Sequence, residues 1–264
     1  MDVLAIPSDP ESTTNNVQTL LQRHPDGFRW AVSEKTLSDN GIVIAQAIIQ
    51  GTAIAVSDGS FKNSQGTLAF ILEGCSKKGR LVGVNVIPGD DSSQSPYRSE
   101  LGGVAGILEF LVHCLCIVHD ITKGKVEVGL DGEQAMNEEF SDWALNPGRP
   151  DFDLLQHIQG MIASSPLTFS SRWIAFHQDD DGELAAIDHW GQLNVECNGL
   201  AKDFWNSNAL AKMWRPNTQF GFEKWSLWID QKNSRGWTRK SCMLLFSQKR
   251  RRPTGIGSTV LLPS

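Results

Sequence analysis

Three acidic residues invite a chemical reading before any element is assigned: Asp58 in Ser57-Asp58-Gly59-Ser60, Glu100 in Arg98-Ser99-Glu100-Leu101, and Asp131 in Leu130-Asp131-Gly132. Asp58 and Asp131 each follow an apolar run, and Glu100 opens a stretch with helical period. Carboxylates gathered from three distant points repel one another, and their pKa values rise unless a cation neutralises them. Oxygen-only donors with open positions suit a hard divalent cation, Mg²⁺ foremost and Mn²⁺ second.

Positioning them is the task of the elements around them. Residues 52–56 form a small, β-branched run that reads as a buried strand, stopped by a turn at Ser57-Asp58-Gly59-Ser60. Residues 67–72 and 81–87 are two more strands, separated by the turn-prone 76–80, so an antiparallel meander is expected. After a polar loop at 88–96, Leu101, Val104, Ala105, Leu108, Leu111, Val112 and Leu115 recur at helical spacing, which predicts a long buried helix over 98–118. A fourth strand follows at 125–130 and a helix at 133–140. Asn146-Pro147-Gly148 then breaks the chain before a helix at 152–163. A fifth strand at 167–176, an acidic loop at 178–182 and a last helix at 187–212 complete the series.

The order βββαβααβα points to an α/β fold, a mixed sheet with helices on both faces. Right-handed crossovers would set strands four and five parallel beside the first. Asp58 and Asp131 would then face each other in the crevice at the strand ends, with Glu100 leaning in from the first turn of the long helix.

The bulk composition fits this reading. In 264 residues, 40% apolar and 20% charged, there is room for one good-sized domain with extensions or two small ones. No apolar run is expected to span a membrane; Ile42 to Ile49 is interrupted or too short. The N-terminus lacks the basic lead and apolar core of a secretory signal. Five cysteines, odd in number and without paired CxxC spacing, imply reduced thiols in an intracellular protein and leave nucleus and cytoplasm open.

Charge is unevenly spread: residues 1–211 hold 13 Lys and Arg against 28 Asp and Glu, residues 212–264 hold 11 against 2. An acidic body with a basic tail suits a polyanionic partner, while Lys249-Arg250-Arg251-Arg252 also reads as a solvated tail or a localisation signal. There is no phosphate-cradling Gly-rich loop and no Ser-His-Asp arrangement at workable positions.

Five fragments occur in a telling order: Val56-Ser57-Asp58-Gly59-Ser60, Tyr97-Arg98-Ser99-Glu100-Leu101, Leu130-Asp131-Gly132, Phe176-His177-Gln178, and Leu193-Asn194-Val195-Glu196-Cys197-Asn198-Gly199-Leu200-Ala201. Together they resemble the type 1 ribonuclease H domain, and the last stretch with Ser95 to Gly103 is most similar to domains of retrotransposon polyproteins. The resemblance covers residues 51–210, leaving 1–50 as an N-terminal extension and 211–264 as a basic C-terminal extension. It implies a ribonuclease H-like five-stranded mixed sheet of order 3-2-1-4-5. It also implies an endonuclease that hydrolyses the RNA strand of RNA–DNA hybrids with two Mg²⁺ ions, Mn²⁺ substituting, and leaves 5′-phosphate and 3′-hydroxyl ends. A monomer without membrane association is expected, in a setting once shared with a reverse transcriptase.

By the same resemblance, Asp58 would bridge the two ions, about 4 Å apart. Glu100 and Asp131 would complete the ion at the leaving 3′ oxygen. Position 198 would hold the ion that activates the water, but this chain has Asn198 where the family has Asp. An amide oxygen is still a ligand but carries no charge, so metal affinity and rate should both fall. Either a natural departure or a substitution made to trap substrate accounts for it. His177 would assist proton transfer or product release, although the preceding Ala175-Phe176 departs from the family's Lys-Gly.

The family reads 2′-hydroxyls largely through backbone groups, so Gly59, Ser60 and Ser99 are candidates. Lys62, Asn63, Arg98, Lys123 and Arg172 are candidate phosphate contacts. The basic handle of the family is missing, and the basic tail is expected to supply sequence-independent affinity instead. Two other readings stand beside this one: a hybrid-binding module that has lost its chemistry through Asn198, and another nuclease of this fold, such as a transposase or exonuclease core.

Overall fold

A computed structural model describes residues 16–23, 34–74, 79–89, 93–132, 151–175 and 187–207. The expected helix at 133–140, the break at 146–148, the acidic loop at 178–182 and the basic tail lie outside the described residues.

The elements run α1 (Val17–Arg23), β1 (Glu34–Leu37), α2 (Ile42–Gln50), β2 (Ala53–Lys62), β3 (Gln65–Glu73) and β4 (Arg80–Val86). The long helix α3 (Pro96–Val118) follows, with a π-helical stretch at Leu111–Leu115. Then come β5 (Gly124–Leu130), α4 (Phe152–Ser164), β6 (Leu167–Trp173) and α5 (His189–Asn206).

All the strands join one sheet in the order β1-β4-β3-β2-β5-β6. The sheet therefore has six strands, not five. The five expected strands keep their relative order, and β1 adds an edge beside β4 through Glu34↔Val84 to Leu37↔Leu81. At four residues, Glu-Lys-Thr-Leu, β1 is too short and polar to show an alternating pattern, as edge strands often are. Of the residues assigned above to an extension, 34–37 thus pair in this sheet, and Ile44, Ala45, Ala47 and Ile48 of α2 lie in the core beneath it.

Alternation along the strands divides two cores. Ala53, Ala55, Leu68, Phe70 and Leu72 face a large cluster with α2, α3 and α4. Val56, Ala69 and Ile71 face a smaller cluster with Leu193, Cys197 and Ala201 of α5. Helices therefore cover both faces. Among the described residues one helix, α3, is long and apolar enough to cross a membrane, contrary to the expectation that no such stretch exists. It is mostly buried in the larger core, where all-round apolarity is what burial demands.

Two local expectations change. Asp58 does not end its strand: β2 runs through Asp58-Gly59-Ser60 to Lys62, and the reversal comes at Asn63 and Ser64, with φ of 51° and 57°. Positive φ at both central residues is what a tight hairpin requires. Helix α3 starts at Pro96 rather than Arg98, capped by Ser95, whose Oγ accepts from the Arg98 N–H at 2.9 Å. Glu100 therefore lies beyond the first turn.

Candidate active site

Strand pairing brings the first two acids together. β2 and β5 are parallel, with Val56 opposite Gly129. Carrying that register two residues on sets Asp58 beside Asp131. Asp58 is opposite Ala69 of β3, so its side chain shares the face that α5 covers. It is only 7% exposed, and its Oδ1 accepts from the Gly59 N–H at 2.6 Å.

Close approach of α3 brings the third. A methyl group on Gly59 would stand 2.6 Å from the Ser99 carbonyl carbon and 2.8 Å from the Glu100 nitrogen; one on Gly103 would stand 2.6 Å from the Ser57 Cβ. Only hydrogen fits at both places, which lets the helix lie against β2 and carries Glu100 to the carboxylate end of the sheet.

The electrostatics register this convergence. Burial, then the neighbouring Asp131, pushes the Asp58 carboxyl up to about 7; the Gly59 bond opposes this, Glu100 adds to it, and Lys202 opposes it. Burial, then Asp131, likewise pushes Glu100 up to about 7.

Helix α5 closes the site. Asp188 caps it, accepting from the Gly191 N–H at 2.8 Å. The Cys197 thiol donates to the Val56 carbonyl at 3.4 Å, and the Thr67 hydroxyl to the Ala201 carbonyl at 2.8 Å. Asn194 Nδ2 donates to Asp131 Oδ2 at 3.3 Å. Asn194 is 6% exposed, and its Oδ1 has no hydrogen-bond partner. Sequence reasoning missed this residue, although its place one turn before Asn198 put it on the same helix face. Asn198 is half-buried on that face.

The other candidates separate. Gly59 and Ser60 are half-buried on β2, while Lys62 and Asn63 are exposed at the hairpin. Lys62 Nζ lies 4.7 Å over the Trp205 ring, whose Nε1 donates to the Lys62 carbonyl at 3.1 Å. Arg172 pairs with Glu127 at 3.0 Å.

Arg98 must be withdrawn as a surface contact. It is 0% exposed, and its guanidinium bonds Asp151, Asp153 and the Pro88 carbonyl. Ser99 is withdrawn too, being buried with its hydroxyl bonded to the Ser95 and Ser60 carbonyls. His177 lies outside the described residues.

The donor set suits a hard cation: carboxylates that repel one another and an amide oxygen without a partner. It is not a closed cage. Among the described residues no group of three His, Cys, Asp or Glu side chains is arranged to hold a metal ion alone. Mg²⁺ is commonly held by one or two carboxylates, with water and substrate phosphate oxygens completing its shell, and that is the fit available here.

No protein-family model matches the chain. No curated protein sequence matches it either. Several solved structures are similar to it. One is the N-terminal RNase H domain of a Mycobacterium tuberculosis protein, at 12% identity and TM-score 0.40, covering 61% of this chain and 98% of that one. RNase H1 of Halobacterium salinarum is similar at 13% identity and TM-score 0.39, covering 58% and 97%. LC11-RNase H1, solved in complex with an RNA/DNA hybrid, is similar at 12% identity and TM-score 0.40, covering 59% and 99%. At this level the likeness adds nothing to what the sheet order and the carboxylates of this chain provide.

Proposed function

We propose that this chain is a divalent-cation-dependent endonuclease acting on the RNA strand of RNA–DNA hybrids. What carries the reading is the convergence of Asp58, Glu100 and Asp131, where burial first and then mutual repulsion push two of them up to about 7. Acids buried in mutual repulsion weaken a fold, and a site that binds a cation gives them a use. The substrate class rests on the five ordered sequence fragments.

A bound Mg²⁺ would offset the carboxylate charge, stabilise the developing charge on the phosphate and lower the pKa of the attacking water. The chain's own residues do the positioning. The Gly59 N–H fixes one oxygen of Asp58, and Asn194 orients Asp131. Gly59 and Ser60 are suited to meet 2′-hydroxyls, which mark RNA in the shallow groove. Lys62 and Asn63 are suited to backbone phosphates of the DNA strand.

Asn198 favours a second reading, a module that binds the hybrid and leaves it intact, because position 198 brings no negative charge. The discriminating experiment incubates the chain with RNA–DNA hybrid, duplex DNA and single strands, in Mg²⁺, Mn²⁺ and EDTA. RNA of the hybrid should be cut to 5′-phosphate and 3′-hydroxyl ends only with a cation. Asp58→Asn should lower the rate at least about a hundredfold, since removing a metal ligand forfeits several kcal/mol. Hybrid bound but uncut supports the second reading, and duplex DNA cut in preference indicates a transposase- or exonuclease-like nuclease. A chain that neither binds nor cuts hybrid overturns both.

A further inference from the structure

Asn194, Asn198 and Lys202 follow one another at intervals of four on α5, so they form one stripe along the helix. One end of the stripe touches the acids directly, through the Asn194–Asp131 hydrogen bond at 3.3 Å. At the other end Lys202 is exposed, and its positive charge acts on Asp58. The stripe is held in place. Cys197 and Ala201 are bonded to β2 and β3, and the Trp205 Nε1 bond to the Lys62 carbonyl at 3.1 Å ties the last turn of α5 to the hairpin.

The two ends of the stripe differ in charge. Asp58, Glu100 and Asp131 carry three negative charges when ionised, a substrate phosphodiester adds one, and Asn198 carries none. One divalent cation and the Lys202 ammonium leave one negative charge in the count. A second divalent cation beside Lys202 would reverse the sign, with only the neutral amides of Asn194 and Asn198 to receive it. Repulsion between that cation and the ammonium opposes such an arrangement.

We propose that Lys202 stands in for a second metal ion. It binds a non-bridging oxygen of the substrate phosphate at the Asn198 end, so that the chain works with one divalent cation at the Asp58–Glu100–Asp131 end. Asn194, buried and with an unpartnered amide oxygen, lies at the Asp131 end of the stripe, where that oxygen is free to accept a hydrogen bond from a water or hydroxyl. The inference rests on the nuclease reading and specifies how its site is charged.

Two measurements test it without relying on turnover. First, Mn²⁺ is titrated by electron paramagnetic resonance into the chain bound to an unmodified RNA–DNA hybrid, each sample being freeze-quenched before turnover. One bound ion per chain is expected in the parent protein, and two in Asn198→Asp/Lys202→Ala. Second, affinity for the same hybrid is measured in EDTA across a salt series. Lys202→Ala should weaken binding about fivefold and lower the slope of log affinity against log salt by about 1, and Lys202→Arg should restore both. Two Mn²⁺ ions in the parent protein, or affinity and slope unchanged in Lys202→Ala, overturn the inference while leaving the nuclease reading intact. A parent chain that neither binds nor cuts any hybrid overturns the nuclease reading, and this inference with it.

Discussion

Arg98 and Glu100 stand two residues apart on α3, one facing two aspartates and the other sharing its surroundings with two more. Around Arg98 every charge is answered. Its NH1 reaches Asp151 at 2.9 Å, its NH2 reaches Asp153 at 2.9 Å, and its Nε donates to the Pro88 carbonyl at 2.9 Å. Burial pulls the guanidinium pKa down, and Asp153 and Asp151 more than offset it, so the net direction is upward. Around Glu100 the neighbours are Asp131 and Asp58, and burial first, then this repulsion, raises the carboxyls instead. The first cluster joins the start of α3 to the start of α4 and is finished as folded. The second is left in need of a positive charge, which is why the proposed function is seated there.

The largest effect should come from breaking the finished cluster. Arg98→Met keeps the side-chain volume and strands Asp151 and Asp153 without their cation. Removing one partner of a buried ion pair costs roughly 3–5 kcal/mol. Urea unfolding should show that loss as a lower midpoint at unchanged slope. A loss under about 1 kcal/mol would mean that the two aspartates are satisfied without the arginine.

Applied to the unfinished cluster, the same logic gives the opposite sign. Asp58 and Glu100 have folded pKa values near 7, above the ordinary carboxyl range. Their protonated forms therefore favour the folded state. That contribution is fully present below about pH 4 and is lost as pH rises through 7. For Asp58 a shift from 3.8 to about 7 corresponds to a loss of up to about 4 kcal/mol. In EDTA the thermal midpoint should fall between pH 5 and 8. Asp58→Asn should flatten the fall and raise the midpoint at pH 8, while Mg²⁺ should raise it in the parent protein only. A midpoint in EDTA that does not fall over this range would remove the crowding from the account.

How much of this was legible beforehand depended on the range of the signal. Asp58, Glu100 and Asp131 were visible because an acid next to an apolar run or helical period is a local pattern. The two core faces were visible as strand alternation and as the period of α3. The polar β1 carried no such pattern, and Asp58-Gly59-Ser60 looked like a turn because glycine marks turns and close approaches equally. Arg98 looked like a phosphate contact because its partners Asp151 and Asp153 lie more than fifty residues away, and pairing at that distance leaves no local trace. Asn194 was passed over because an amide one turn from a candidate ligand gains meaning only once Asp131 is beside it.

A smaller effect should sharpen the functional side of the contrast. Asn198→Asp adds a negative charge to the stripe on α5 and gives a second cation a ligand. Hybrid cleavage in Mg²⁺ should rise at least about tenfold, which is about 1.4 kcal/mol of barrier. Equal rates for the two forms would remove position 198 from the chemistry.

The smallest effect concerns a third cluster, which lies between the other two in character. Buried Glu73 on β3 accepts from His189 at 2.7 Å and pairs with Arg80 at 3.1 Å, and Arg80 also reaches Glu196 of α5. Like the Arg98 cluster it is compensated, but the partners of Glu73 are partly exposed and there are two of them. His189→Ala leaves Arg80 on Glu73, so the cost should be about 1 kcal/mol or less, read as a small shift of the urea midpoint. A loss approaching that of Arg98→Met would show that Glu73 depends on the histidine, and that the anchoring of α5, with Asn194, Asn198 and Lys202 upon it, is as finished as the start of α3.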